Sequence, residues 1–263
     1  MTNLCTPYSI VGMTILHSAQ RSTGILFLVA VAAFTVSSSV LAATFDWPDI
    51  LREPAPYVLE RFHEGGTTLI VTWFAVAWTY ALLAVPVLLL PAALGRETDP
   101  VLRAATAIGA ASVLLSLIGF LRWVFVVPPL AAAWAGGTGT EAAWTAQHQF
   151  GGALLGEHLG QVLAVVWSVT VSVIVLRDHR ALGVAGLIAS TLYLLNQGDV
   201  LATAIPGFPV WDAAGPVGST AWGLWIAALG AVLLARGRKK RETAARAVSR
   251  EGSSQAATAI GTP

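Results

Sequence analysis

The chain has 263 residues, of which 56% are apolar and only 11% charged, and its mean hydropathy is +0.70. Soluble domains run nearer to about 45–50% apolar and about 25% charged. Fifteen basic and fourteen acidic side chains cannot clothe a soluble body of this size, so the chain reads as an all-α, polytopic membrane protein. The net charge of +1 gives no case for nucleic-acid binding. One cysteine, Cys5, excludes a disulfide framework within the chain and any cysteine-rich metal site. The two lysines, Lys239 and Lys240, stand together in the tail, which excludes a lysine nucleophile or Schiff base inside the membrane.

Spanning helices need about 20 mostly apolar residues. In chain order, candidate spans cover residues 24–44, 67–90, 104–127, 153–176, 181–195 and 217–235. The first apolar run is followed by Val40-Leu41-Ala42-Ala43, which resembles a signal-peptidase site. The run is of full spanning length with 23 residues before it, so it reads as a span. Met13 serves as well as Met1 for the start of translation. Pro86 is expected to kink the second span near its end, and Pro128-Pro129 to stop the third. The division is a segment over 1–23, a six-helix membrane domain over 24–236, and a basic tail over 237–263 that starts as a short helix and continues as disorder.

Twelve of the fifteen basic residues fall on one side of these six spans, seven of them in the tail. The other side carries only Arg52 and Arg61, and Arg122 lies within the third span. By the positive-inside rule both termini are expected to be cytoplasmic, and the chain to be a multi-pass membrane protein. The outer connections, 45–66, 128–152 and 199–216, hold Trp47, Trp134, Trp144 and Trp211, as an interfacial aromatic belt requires.

An ionisable group in hydrocarbon costs about 2.5–3.5 kcal/mol on insertion scales, so each such group needs a partner or a purpose. They are few: Arg122 on the third span, and Glu157 and His158 on the fourth, with Gln161 on the same face as Glu157. The fifth span is clean for 15 residues, a rise of about 22 Å. That is short of a hydrocarbon core of about 30 Å, so Asn196, Gln197 and Asp199 are expected at membrane depth. Measured from helix ends, Arg122 is about 9 Å and Glu157 about 8 Å below the outer surface, and an ion pair between them is expected. His63 and His148 lie on the loops above, completing a cluster in the outer half.

This cluster admits a purely structural ion pair, or an outward-facing pocket for a lipid headgroup or small anion held by Arg122. A metal or haem site on His63, His148 and His158 fits no ligand spacing, so no metal and no cofactor is expected. Gly152, Gly156 and Gly160 form a ladder of small residues suited to close helix packing, and one that borders Glu157 and Gln161.

Leu121-Arg122-Trp123-Val124-Phe125-Val126-Val127-Pro128 and Gly156-Glu157-His158-Leu159-Gly160-Gln161 carry a resemblance. With Arg52-Glu53-Pro54 and Gly65-Gly66, they make residues 24–236 resemble a bacterial multi-pass membrane family called domain of unknown function 4386. The resemblance implies a six-helix or similar bundle in the inner membrane and carries over no catalytic residue.

No GxxxxGK(S/T), GxSxG or HExxH motif is present. The expected function is therefore non-catalytic: in the lipid bilayer, binding of a lipid or small-molecule ligand in an outward-facing polar pocket, or service as a sensor or partner subunit. The alternative is an intramembrane enzyme with Glu157 or His158 as acid–base group and Arg122 as anion clamp. A transporter is disfavoured, because the polar groups occupy the outer half only and no internal repeat is present.

Overall fold

A computed structural model describes the backbone of residues 7–260 and the side chains of residues 16–238. Its elements are α1 (Pro7–Phe45), a single 3₁₀ turn (Asp49–Arg52), α2 (Ala55–Ala81), α3 (Ala84–Leu94), α4 (Pro100–Phe125), α5 (Val127–Ala135) and α6 (Glu141–Gln147). A π-helical segment (His148–Leu159) leads into α7 (Gly160–Leu176), then α8 (Arg180–Leu195), α9 (Gln197–Ala202) and α10 (Ala214–Ile260). No strand occurs among the described residues. Six stretches are long and apolar enough to cross a membrane: Leu16–Phe45, Ala55–Leu94, Pro100–Ala135, Glu141–Leu176, Arg180–Ala202 and Ala214–Arg238. The chain is a multi-pass helical membrane protein. The disorder expected of the tail falls for the most part outside the residues whose side chains are described.

The spans are longer than hydropathy alone suggests, because residues expected as loop continue the helices. The second begins at Ala55, directly after Pro54, and bends at Gly66, whose φ of 52° suits a residue without a Cβ. It breaks at Leu82-Leu83, four residues before Pro86. A proline ring collides with the carbonyl four residues back and offers no N–H to it, so the break precedes the proline. Gly95 ends α3 in the left-handed conformation, and Asp99 caps α4 by accepting from the N–H groups of Val101 and Leu102 at 3.0 and 3.3 Å. Pro128-Pro129 do not stop the third span. The helix breaks at Val126 and restarts with the prolines in the first turn of α5, where a missing N–H costs nothing.

Each span packs on its neighbours in sequence, and α10 returns to pack on α1, so the six close into a ring. A core of Phe27, Tyr80, Val113, Trp167, Trp222 and Trp225 draws residues from the spans around the ring. A second core joins α1, α2, α4 and α6 through Phe45, Phe62, Trp73, Trp123 and Trp144. Trp73 and Trp123 stack at 4.6 Å with planes 3° apart, and Phe45 and Trp144 meet Trp123 edge-on at 5.4 and 5.6 Å. Trp144 is therefore not part of an interfacial belt. It is 4% exposed, because α6 folds its aromatic face onto this core. Trp211 is exposed and Trp47 and Trp134 are half-buried, as surface aromatics.

Gly152, Gly156 and Gly160 pack against α4. A Cβ on Gly156 would lie 2.9 Å from the Cα of Gly119, and one on Gly160 would lie 2.5 Å from Ser116 Oγ. Ser112 donates to the Gly160 carbonyl at 2.7 Å across the same seam. Close approach of two helices through small residues is the packing expected of such a ladder.

Candidate functional site

Arg122, near the end of α4, is 6% exposed. Its Nε donates to the Gly119 carbonyl at 3.1 Å. Its Nη1 reaches Gln147 Oε1 at 3.3 Å and His148 Nδ1 at 3.1 Å. The guanidinium carbon lies 5.0 Å from the Trp123 ring centre and rests on Gly152. His148 is buried and stacks on Trp144 at 5.2 Å.

The expected ion pair between Arg122 and Glu157 does not form. Glu157 instead accepts from Arg52 Nη2 at 2.6 Å. Two facts redirect it. The fourth span starts at Glu141, not near residue 152, and runs as a π-helix over His148–Leu159, so depth counted from an α-helical start is misplaced. The Arg122 head is also bonded at the level of Gly152, about a turn before Glu157 in the chain.

Arg52, at the end of the 3₁₀ turn, bridges two carboxylates. Besides Glu157 it donates Nε and Nη2 to Asp199 Oδ2 at 3.0 and 2.7 Å. Partial burial opposes its charge, but the Glu157 carboxylate and the hydrogen bonds to Asp199 and Glu157 outweigh that and hold Arg52 above the ordinary arginine range. Glu157 Oε1 is buried with no partner among the described residues.

Beneath this triad the amides form a continuous relay. Gln161, 4% exposed, donates Nε2 to the Tyr193 carbonyl at 2.7 Å. Its Oε1 accepts from Asn196 Nδ2 at 3.3 Å and, at close range, from Gln197 Nε2. Gln197 Nε2 also donates to the Glu157 carbonyl at 3.2 Å, and Gln197 Oε1 meets His158 Nδ1 at 2.6 Å. The break between α8 and α9 at Asn196 makes this possible: the Tyr193 carbonyl, which takes the Asn196 N–H at 3.3 Å, has a second lone pair for Gln161, and Gln197 is buried.

Of the residues singled out in the sequence, Glu157, His158, Gln161, Asn196, Gln197 and Asp199 thus join one hydrogen-bonded set through Arg52, and Arg122 and His148 form a second beside it. His63 joins neither. It is exposed on α2 and makes no hydrogen bond among the described residues. No group of three metal-ligating side chains occurs among the described residues. Sequence reasoning missed Arg52 and Gln147. For Arg52 a signal existed, since it is one of two basic residues on the acidic side; for Gln147 there was none. A water-sized cavity lies elsewhere, lined by Tyr80, Val87, Ser112, Trp167 and Trp222 in the apolar core.

Arg52, Arg122, Glu157, His158 and Gln161 of this site lie in the segments that carry the sequence resemblance, and residues 22–230 match the model of the family described as Domain of unknown function (DUF4386). The chain belongs to that family. The DUF4386 match reaches into all six membrane helices and includes Arg52, Arg122, Glu157 and Gln197. Neither the curated proteins nor the solved structures gave a match.

Proposed function

We propose that this DUF4386 protein lies in a bacterial cytoplasmic membrane with both termini inside, and binds an anionic group at Arg122 in the outward half of its bundle. The group is a lipid phosphate or a small anion. One observation carries the reading: Arg122 is a buried cation with no ion pair among the described residues, because the nearest glutamate of its neighbouring span is held by Arg52. An uncompensated buried charge is costly, and its Nη2 has no acceptor among the described residues. A bound phosphate or carboxylate would supply both charge and acceptors. The enclosing wall is glycine on one side and an indole on the other, so an anion reaching the guanidinium meets few other donors.

The test is purification in mild detergent followed by native mass spectrometry and titration with inorganic phosphate. A co-purified anionic lipid, or saturable phosphate binding, is expected in the wild type and lost in Arg122→Met. A lipid adduct names the membrane as source, and phosphate binding by delipidated protein names the free anion. Neither behaviour, in protein that is folded by circular dichroism, overturns the reading.

A further inference from the structure

Two arginines and two carboxylates meet in the polar cluster, and they are shared unequally. Arg52 takes both acids, Glu157 at 2.6 Å and Asp199 at 2.7 and 3.0 Å. Arg122, the more deeply buried cation, has neither.

Reach does not impose this division. Residues His148–Leu159 are π-helical, with hydrogen bonds closed five residues apart, so Gly152 and Glu157 stand on consecutive turns of one face. The Arg122 guanidinium rests on Gly152, and the nearer of its two terminal nitrogens is Nη2, the one with no acceptor among the described residues. Glu157 thus springs from the turn next to that donor, and its charge acts on Arg122 as well as on Arg52. On the acid, Oε2 goes to Arg52, while Oε1 is buried with no partner among the described residues. An unused acceptor and an unused donor, on groups of opposite charge, stand a helical turn apart.

Little holds the carboxylate where it is. The Arg52 and Glu157 side chains are 28% and 21% exposed, and a partly open ion pair contributes little. When Glu157 leaves, Arg52 keeps Asp199 through both Nε and Nη2. Moving one carboxylate then gives each arginine one acid and relieves an unpaired buried charge at Arg122.

We propose that Glu157 is a built-in competitor for the anion site at Arg122, and that Arg52 keeps it away. With Glu157 on Arg52, Arg122 is open to an anion. With Glu157 on Arg122, the carboxylate takes the anion's place and the site is closed. Arg52 is a positioning residue: from the turn between the first two spans it sets the state of a charge on the third. The competition rests on the anion reading above; the exchange of Glu157 between two arginines does not.

The exchange is read from stability. Arg122→Gln and Glu157→Gln are combined in the full chain, once with Arg52 present and once with Arg52→Gln, and thermal unfolding is followed in detergent. With Arg52 present the two losses in Tm should add. With Arg52→Gln the double loss should fall clearly below the sum, because Arg122 and Glu157 have become a pair. Additive losses in both backgrounds overturn the exchange. Should Arg52→Gln fail to fold, Arg52→Lys, which keeps a charge without the two-pronged donor, takes its place with the same expectation.

The competition is read from binding of inorganic phosphate and of vesicles containing phosphatidic acid, which separate a free anion from a lipid headgroup. Arg52→Gln should weaken binding about tenfold or more, the reach of one charge-assisted hydrogen bond. Adding Glu157→Gln should restore most of it. Adding Asp199→Asn, which makes the same change of net charge, should not. Rescue by both, or by neither, overturns the competition, as does undiminished binding in Arg52→Gln. Binding of neither probe by the wild-type chain overturns the anion reading instead, and the unfolding cycles then decide the exchange alone.

Discussion

Gly152 and Arg122 occupy one volume between them. A Cβ at position 152 would lie 2.5 Å from the guanidinium carbon of Arg122, so the absence of a side chain on one helix is the seat for a charge from the next.

Gly152→Ala is therefore expected to push Arg122 off its three polar partners and to destabilise the protein by about 1–3 kcal/mol, the cost of unmaking buried hydrogen bonds. Gly119→Ala should cost more, because its methyl meets the backbone of Gly156 at 2.7 Å and the helices themselves must part. Gly139→Ala, with open space around it, should be neutral. Thermal unfolding in detergent ranks the three.

The partners of Glu157 can be told apart by double-mutant cycles. Arg52→Ala and Glu157→Ala should couple, by about 0.5–1 kcal/mol, since the pair is partly open to solvent. Arg122→Ala and Glu157→Ala should add within about 0.5 kcal/mol, because no ion pair joins them. Strong coupling in the second cycle would restore the pairing that helix-end depth suggests.

Trp123 is 1% exposed and contacts Trp73, Phe62, Phe45 and Trp144. Trp123→Ala should cost about 3–5 kcal/mol and Trp123→Phe clearly less, measured by the same unfolding assay.

A reporter fused after Arg250 should behave as cytoplasmic, given twelve basic residues on that side of the spans and two on the other. Activity of a periplasm-dependent reporter at that position would invert the bundle and place Arg52 and Arg122 in the inner half.

The six spans were legible because hydropathy over twenty residues is a strong, additive signal, and the family because its short polar motifs interrupt that signal. The identity of the polar set was legible for the same reason: in an apolar chain every amide or charge stands out. The choice of partners was not. Glu157 and Arg122 are close in depth, and depth is all that counting along a helix provides; the π-helical path from His148 and the seat at Gly152 decide azimuth and level. Arg52 carried a signal, as one of two basic residues on its side of the spans, but it sits on a turn between spans, where a charge does not by itself ask for a partner. Trp144 was misplaced because an aromatic in a connection between spans looks the same whether it faces headgroups or folds back as α6 does.

The closure of α10 onto α1 gives the chain a problem of timing. Gly24 and Gly230 meet backbone to backbone, where a Cβ on Gly24 would lie 2.6 Å from the Gly230 carbonyl oxygen. During synthesis the first span enters the bilayer five spans before the surface that completes it exists. Until then its glycine notch faces lipid, or the sixth span of an already finished neighbour. A nascent chain stalled after α9 is thus an open ring whose two edges, α1 and α8, both await the same missing helix.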